Sequence, residues 1–297
     1  MYDIIIIGGG VAGFSAAMYT GRFNMKTLLI GENFGGTVLS AHKIENYPGI
    51  NSIQGPELAR NIEEHAKKYK IEVKESRVVE IKKGKGAFKV LTETKKFETK
   101  TLLIATGSEK KKSTIKGAKE FNNKGVHYCA VCDGPVYSGK DVAVVGGNDS
   151  AAKSALFLAQ YAKKVYLIYR KENIRAEPIY TRQITKDKKI QIINNTNITE
   201  IKGGKFVNSV VLDNGKELPV EAVFFEIGHI PSSGLFGKLG IKINKNGEII
   251  IDKFACTNIP GIFAAGDVTD IDFKQVVTAA GFAVLGAYSA FRYIKGT

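Results

Sequence analysis

The chain opens on an unbroken apolar run, Tyr2 to Ile7, that passes directly into glycine. A continuous run, as opposed to an alternating one, predicts a strand buried on both faces, as in parallel sheets. Positions Val11 to Phe23 suit a helix, and Thr27 to Ile30 form a second short apolar strand. A further helix is predicted with Pro56 in its first turn, running to about Tyr69, because proline is tolerated where the N–H lacks an intrahelical partner. Shorter β-rich stretches follow at Val78 to Ile81 and Ala87 to Leu91, and then the apolar strand Thr101 to Thr106.

The same order then begins again. Asp141 to Val145 reads as a strand, Gly146-Gly147 as a turn, Ser150 to about Ala162 as a helix and Val165 to Tyr169 as a strand. Repeated strand–helix–strand units predict an α/β fold with two Rossmann-like, dinucleotide-binding domains. Strand and helix signals return at Ile262 to Ala265 and Gln275 to Ile294, so the second domain is expected to be inserted into the first. The lysine-rich stretch Lys110 to Lys119 and the segment Ser232 to Lys238 are the candidate crossings. The expected division is a discontinuous domain of residues 1–112 and 238–297 around an inserted domain of residues 113–237.

Each unit places a glycine turn between its first strand and its helix. The first turn is G-x-G-x-x-G, with Gly8, Gly10 and Gly13. Gly8 permits the tight turn, Gly10 lets the backbone approach a pyrophosphate, and Gly13 lets the helix pack closely on the strand. The pyrophosphate then meets free N–H groups and the positive end of the helix dipole. Glu32, just past the second strand, stands where a carboxylate accepts from ribose hydroxyls, with a surface acid as the plainer alternative. The second turn reads Gly146-Gly147-Asn148-Asp149-Ser150-Ala151. Asn148 replaces the second glycine; asparagine tolerates left-handed backbone, yet its side chain crowds the phosphate position. Ala151 is an accepted third residue. At the place matching Glu32 this unit carries Arg170, followed by Lys171 and Arg175, which suit a 2′-phosphate or else are solvated surface charge. Two sites of opposite polarity point to FAD at the first and NADPH at the second. Ala105-Thr106-Gly107 and Gly266-Asp267-Val268 also end apolar strands, with Asp267 placed to bond a ribityl or phosphate-side hydroxyl.

Before the second unit comes Cys129-Ala130-Val131-Cys132-Asp133-Gly134. Such a C-x-x-C serves as a dithiol or as half of a zinc site. Zinc needs four ligands, only His127, Cys129, Cys132 and the remote Cys256 are on offer, and there is no second C-x-x-C, so no metal is expected. As a dithiol, one thiolate attacks an incoming disulfide and the other resolves the mixed disulfide. Asp133, the carboxylate immediately beside the pair, handles the proton. Cys256, with no cysteine or histidine near it, reads as a buried apolar residue.

Charge and composition change this picture little. Lys and Arg outnumber Asp and Glu by 43 to 29, a net charge of +14, but the cations are scattered in runs such as Lys110 to Lys112. No arginine stripe with interleaved aromatics appears, so a nucleic-acid partner is not expected, while an acidic protein partner fits. Three cysteines are too few for a secreted disulfide framework. The stretch Val276 to Ile294 imitates a membrane span, with Arg292 as its only formal charge. Its Gly and Ala content, with Tyr288 and Ser289, favours a buried helix and no membrane partner. No basic leader precedes the first strand, so the expected location is the cytoplasm.

Taken in this order, the motifs resemble those of the low-molecular-weight thioredoxin reductases. The resemblance rests on Gly8 to Gly13, Gly35-Gly36, Glu45-Asn46-Tyr47-Pro48-Gly49, Ala105-Thr106-Gly107, Cys129 to Gly134, Gly146 to Ala151, Gly228-His229-Ile230-Pro231, Phe263 to Val268 and Lys274-Gln275. It implies an FAD domain made from both ends of the chain, an inserted NADPH domain carrying the cysteines, two alternating domain orientations and a homodimer. By the same resemblance Cys132 faces the flavin, Cys129 attacks thioredoxin and Asp133 is the acid–base group. Asn46, Asp267 and Gln275 contact FAD, with Gly36, Lys274 and Val276 beside them, and Ile227 and Gly228 belong to the NADPH site. The chain departs from the family pattern at Lys153 and Ser154, where two acids are usual, at Tyr169-Arg170-Lys171, where His-Arg-Arg is usual, and at Asn148. These departures bear on the electron donor, for which NADH, reduced ferredoxin or another reduced cofactor are the alternatives. A flavoprotein that senses redox state without turnover is a further one.

Overall fold

The apolar N-terminal run is β1 (Tyr2–Ile7), with Ile4, Ile5 and Ile6 fully buried in the computed structural model, which describes residues 1–296. It leads into α1 (Val11–Arg22), β2 (Thr27–Gly31) and α2 (Gly55–Lys67), which carries Pro56 in its first turn. Next come β3 (Ile71–Glu75), β4 (Val78–Lys83), β5 (Phe88–Thr92), β6 (Lys96–Ile104) and the short β7 (Ser108–Lys110). The middle of the chain forms β8 (Val126–His127), the one-turn α3 (Ala130–Asp133), β9 (Asp141–Val145), α4 (Asp149–Ala159), β10 (Lys164–Ile168), α5 (Pro178–Lys186) and β11 (Ile190–Ile193). It continues through β12 (Ile198–Gly203), β13 (Val207–Leu212), β14 (Glu217–Pro219) and β15 (Ala222–Phe225). The chain then passes through β16 (His229–Pro231), which pairs with β7, to β17 (Ile262–Ala264) and the long α6 (Val276–Lys295).

The first sheet runs β3-β2-β1-β6-β5-β4, with β17 also paired to β6. β6 changes character along its length. Lys96 to Thr99 lie against antiparallel β5, whereas Leu102 to Ile104 are flanked by parallel β1 and β17 and are fully buried. That is the signature of a strand passing from a half-solvated to a doubly covered part of a sheet. Successive residues of β1 serve opposite faces, as a strand's period of two requires. Ile4 and Ile6 pack with Phe14 and Ala17 of α1 and Ala283 and Ala287 of α6, while Ile5 and Ile7 pack with Val90, Phe236 and Ile249. The second main sheet is five-stranded and parallel, β11-β10-β9-β15-β8; β12, β13 and β14 form a small antiparallel sheet beside it in sequence.

The chain separates into two compact units, residues 1–109 with 230 onward, and residues 110–229. Residues 110–112 therefore go with the second unit and 230–237 with the first, a few residues from the crossings that the lysine run and the Ser232 to Lys238 stretch suggested. α6 also differs from expectation. It is long and apolar enough to cross a membrane by length and composition, yet only one stripe of it is buried. That stripe is Ala280, Ala283, Gly286, Ala287 and Ala290, and a Cβ on Gly286 would come within 3.0 Å of Leu103. Leu285, Tyr288 and Tyr293 remain exposed.

Candidate functional site

In the first unit β1, β6 and β17 end together, so three loops meet at one edge of the sheet. The Ala105 N–H donates to Ile7 O (2.8 Å), and the Ala265 N–H to Ile104 O (2.9 Å). Gly8 has φ 120°, and a Cβ on it would lie 2.2 Å from Ala105 O; a Cβ on Gly13 would lie 1.8 Å from Gly8 O. The protein's own packing therefore demands those two glycines. Gly10 is different. Its φ of −85° and ψ of −171° suit any residue, and a Cβ there would meet nothing nearer than Gly36 Cα at 3.9 Å. The chain gives no internal reason for glycine at this position, whereas a phosphate lying against the start of α1 does. Gly35 and Gly36, at φ 97° and 65°, come alongside, the Gly35 N–H donating to Gly9 O at 2.8 Å. α1 begins without an acid in its first turn or a side-chain cap, so its N–H groups stay available. The residues fit a dinucleotide's pyrophosphate.

Other residues expected at this site converge from distant parts of the chain. Asn46 Nδ2 donates to Gln275 Oε1 at 3.0 Å. Gln275 caps α6 in a reciprocal box with Thr278, and Val276 is the first residue of that helix. Gly107 (φ 63°) and Gly266 (φ 80°) turn the loops after β6 and β17. Thr106 Oγ1 donates to Ser232 O (2.9 Å), and Ser108 Oγ reaches Asp267 Oδ2 (3.4 Å). Lys274 is engaged internally: its ammonium donates to Asp267 O and Thr269 O and pairs with Glu248 at 2.8 Å. Glu32 is exposed and lies 3.7 Å from Arg77 Nε. Sequence reasoning passed over Ser108, Arg77 and Glu248, since each is defined by a partner far away in the chain.

The second unit repeats the turn with a different lining. A Cβ on Gly146 (φ 151°) would meet Glu226 O at 2.4 Å, and one on Gly147 would strike the Tyr169 ring at 2.5 Å. Asn148, before the first turn of α4, has φ −97° and ψ −179°, the extended path of Gly10. Its tolerance of left-handed backbone is thus not used, a correction to the reading of that residue; what distinguishes it from Gly10 is the side chain alone. Ala151 is fully buried and Ser150 exposed. The loop bearing Arg170, Lys171 and Arg175 exposes all three cations. It is tied back onto the turn, the Arg175 N–H donating to Gly147 O (2.6 Å) and the Glu177 N–H to Asp149 Oδ1 (2.7 Å). Burial, and then the neighbouring Asp149, raise the pKa of Glu177. The Tyr169 hydroxyl is buried with no hydrogen-bond partner among the described residues, a donor left for a ligand at this turn. After β15 comes buried Glu226, which accepts from Ser154 Oγ (2.9 Å) and lies 3.3 Å from Lys110 Nζ. Burial raises its pKa against the pull of Lys110 and Ser154. Ile227 and Gly228 (φ 102°) follow directly.

The dithiol belongs to this same sheet edge. β8 lies parallel to β15, with His127 opposite Phe224, so the chain leaves the carboxyl end of β8 into Tyr128 and Cys129. Cys129 and Cys132 are joined in a disulfide. Cys129 precedes α3, and its Sγ accepts the Cys132 N–H at 3.2 Å; the Asp133 N–H donates to Cys129 O at 3.1 Å. Hydrogen bonds to sulfur favour its thiolate. Cys132 is exposed, and Cys129 and Asp133 are partly so. Behind them His127 is buried, with Nδ1 at 3.2 Å from Asp133 Oδ2 and Nε2 at 2.7 Å from the Tyr137 hydroxyl. Cys256 lies apart and is only half-buried, contrary to the expectation of a buried residue. Burial, then the nearby Asp252, raise its thiol pKa.

The sequence pattern of the pyridine nucleotide-disulphide oxidoreductases matches residues 2–283. A thioredoxin reductase of Listeria innocua is 39% identical, over 99% of this chain and 94% of its own. Among solved structures, the thioredoxin reductase of Lactococcus lactis superposes with a TM-score of 0.96 at 38% identity, over all of both chains. That of T. acidophilum gives 0.93 at 34% identity, over 98% of this chain and 97% of the other.

Proposed function

The chain belongs to the pyridine nucleotide-disulphide oxidoreductase family, among its low-molecular-weight thioredoxin reductases, and on that premise we propose that it carries electrons from NADPH through FAD to the Cys129–Cys132 disulfide and on to a thioredoxin. The observation that carries this reading is the bonded cysteine pair at the carboxyl edge of a parallel sheet, in the same unit as a dinucleotide-type turn.

Gly8, Gly10 and Gly13, with Gly36, would hold the FAD pyrophosphate. Ala105, Thr106, Gly107, Gly266 and Asp267 would line the remainder, with the Asn46–Gln275 pair and Val276 beside the flavin. Glu32, freed from Arg77 or sharing it, would meet the ribose. Gly146 to Ala151 would hold NADPH, with Arg170, Lys171 and Arg175 on its 2′-phosphate and Ile227 and Gly228 beyond. When bound, the two cofactors supply hydride transfer and two-electron reduction of the disulfide. The protein's own chemistry is thiol–disulfide exchange. Cys129, whose sulfur receives the Cys132 N–H, attacks the partner disulfide; Cys132 resolves the mixed disulfide, and Asp133 holds the proton that the departing sulfur takes. The same reading makes the protein a cytoplasmic homodimer serving redox homeostasis.

Reduced ferredoxin is the second reading for the donor, favoured by the Asn148 side chain and the Asp149–Glu177 pair at the second turn. An anaerobic titration separates the two. NADPH is expected to bleach the flavin at far lower concentration than NADH, and oxidised thioredoxin to restore the colour. Bleaching by dithionite alone would remove NADPH and leave ferredoxin. Failure of thioredoxin to reoxidise the reduced protein would remove the disulfide-reductase reading itself.

A further inference from the structure

The buried side of the dithiol holds a titratable group that the exchange chemistry above does not use. His127 ends β8, retains 6% of its accessible surface, and is stacked on Phe224 (5.3 Å between ring centres) with Tyr137 edge-on at 5.4 Å. Its two nitrogens face two different groups, the Asp133 carboxyl at 3.2 Å and the Tyr137 hydroxyl at 2.7 Å. The Asp133 side chain is 38% exposed, so it spans from this pocket towards solvent. We propose that His127 is a positioning residue for the thiol chemistry: its ring holds the Asp133 carboxyl from behind, and Tyr137 fixes which nitrogen does so. The proposal rests on the reading of Cys129, Cys132 and Asp133 given above.

The placement of one proton decides how the ring meets Asp133. Burial lowers the pKa of His127 from 6.5, with Asp133 pulling the other way, so the imidazole is neutral near pH 7 and has a single N–H. On Nδ1 that hydrogen faces the carboxylate, and Nε2 is free to accept from the Tyr137 O–H. On Nε2 it would leave a lone pair facing the carboxylate oxygens. Burial, and then Asp133, raise the Tyr137 pKa, so the phenol keeps the hydrogen it donates. Asp133 and Tyr137 are the titratable groups facing the ring; Phe224 is an uncharged wall, and Lys140 lies 5.6 Å from the Tyr137 ring centre. The Nδ1 contact lacks the alignment of a full hydrogen bond while the disulfide is closed. Catalytic contacts commonly tighten only in the reacting complex.

Cys129 thiolate bonds to one sulfur of the partner, the partner's S–S bond breaks, and the released sulfur takes the Asp133 proton. Asp133 carboxylate then receives the Cys132 proton as that sulfur attacks Cys129. The bond from Cys129 to the partner breaks, the Cys129–Cys132 bond re-forms, and the second released sulfur takes the proton from Asp133. Two electrons and two protons have passed to the partner. His127 gains and loses none; it keeps one carboxyl in one orientation throughout. Below its lowered pKa the ring would become an imidazolium, placing a new charge against the Asp133 carboxyl and disturbing the proton transfer that runs through it.

The test is the single-turnover reduction of oxidised thioredoxin by flavin-loaded, pre-reduced protein, followed across pH 5 to 9. H127F is expected to slow exchange about tenfold, less than the roughly 10²–10⁴-fold that an acid–base group itself contributes, because His127 acts only through Asp133. It should also remove the loss of rate that protonation of His127 causes on the acid side. H127N, whose amide N–H stands near the place of Nδ1, should recover most of the rate, and Y137F should lose several-fold. Flavin content and thermal unfolding report on folding; should H127F not fold, the contrast between H127N and Y137F carries the test. Wild-type rate and pH profile in H127F, or in Y137F, would overturn the proposal. Reduced wild-type protein that leaves thioredoxin oxidised would overturn the dithiol reading as well.

Discussion

The two glycine turns follow the same backbone path and differ in what each leaves open. At the second position of the motif, Gly10 and Asn148 have nearly the same φ and ψ, yet one presents bare backbone and the other a side chain. At the third position Gly13 has no room for a Cβ, whereas Ala151 is accommodated in full burial. α1 starts without an acid in its first turn, while α4 starts with Asp149 hydrogen-bonded to the Glu177 backbone. The first turn leaves its backbone open, and the second holds its own loop in place. A shared motif therefore does not imply a shared demand: the protein's own packing requires some of its glycines and not others.

The largest effect is expected where packing is in command. G13A would force the α1 start away from Gly8 and destabilise the protein by about 1 to 3 kcal/mol, the range for overpacking a tight core. Chemical denaturation measures it, and an unchanged midpoint would break the distinction between the two third positions. G10A should behave in the opposite way, with near-normal unfolding but flavin affinity at least about tenfold weaker, equivalent to about 1.4 kcal/mol. Equilibrium dialysis of the apoprotein with FAD checks this, and retained affinity would mean that the open space at Gly10 is not the phosphate position. N148G is the mildest. It removes the one side chain that separates the second turn from the first and should lower the KM for NADPH a few-fold, with little change in stability. A KM that rises would show that Asn148 is itself a ligand contact.

Much of the architecture was legible because its signals are local. The unbroken run Ile4 to Ile7 declares a doubly buried strand, and the glycine after it declares the turn, with no reference to the rest of the chain. α6 was legible as a helix but misjudged in burial, since its apolar content did not reveal that the fully buried stripe is of small residues such as Ala283, Gly286 and Ala287, while the larger Phe282, Phe291 and Ile294 are only partly buried. The two-residue β8 was not legible at all, being too short for any periodicity; it exists because β15 offers it a parallel edge. The crossings near residues 110 and 230 were placed approximately, because a lysine run marks solvent exposure and not the boundary itself.

For the sites, the sequence by itself determined the chemistry on offer: a dithiol with an adjacent acid, a glycine turn open enough for a phosphate, and a second one altered. Those follow from residue type and short spacing. Only the tertiary structure decided which groups meet. Asn46 and Gln275 share a hydrogen bond, Lys274 is engaged by Glu248, and Glu32 by Arg77. The dithiol stands at the edge of β15 with His127 and Tyr137 behind its acid. Sheet order makes these pairings, by bringing the ends of strands far apart in the chain to one edge, and a partner chosen that way leaves no trace in the residues around it.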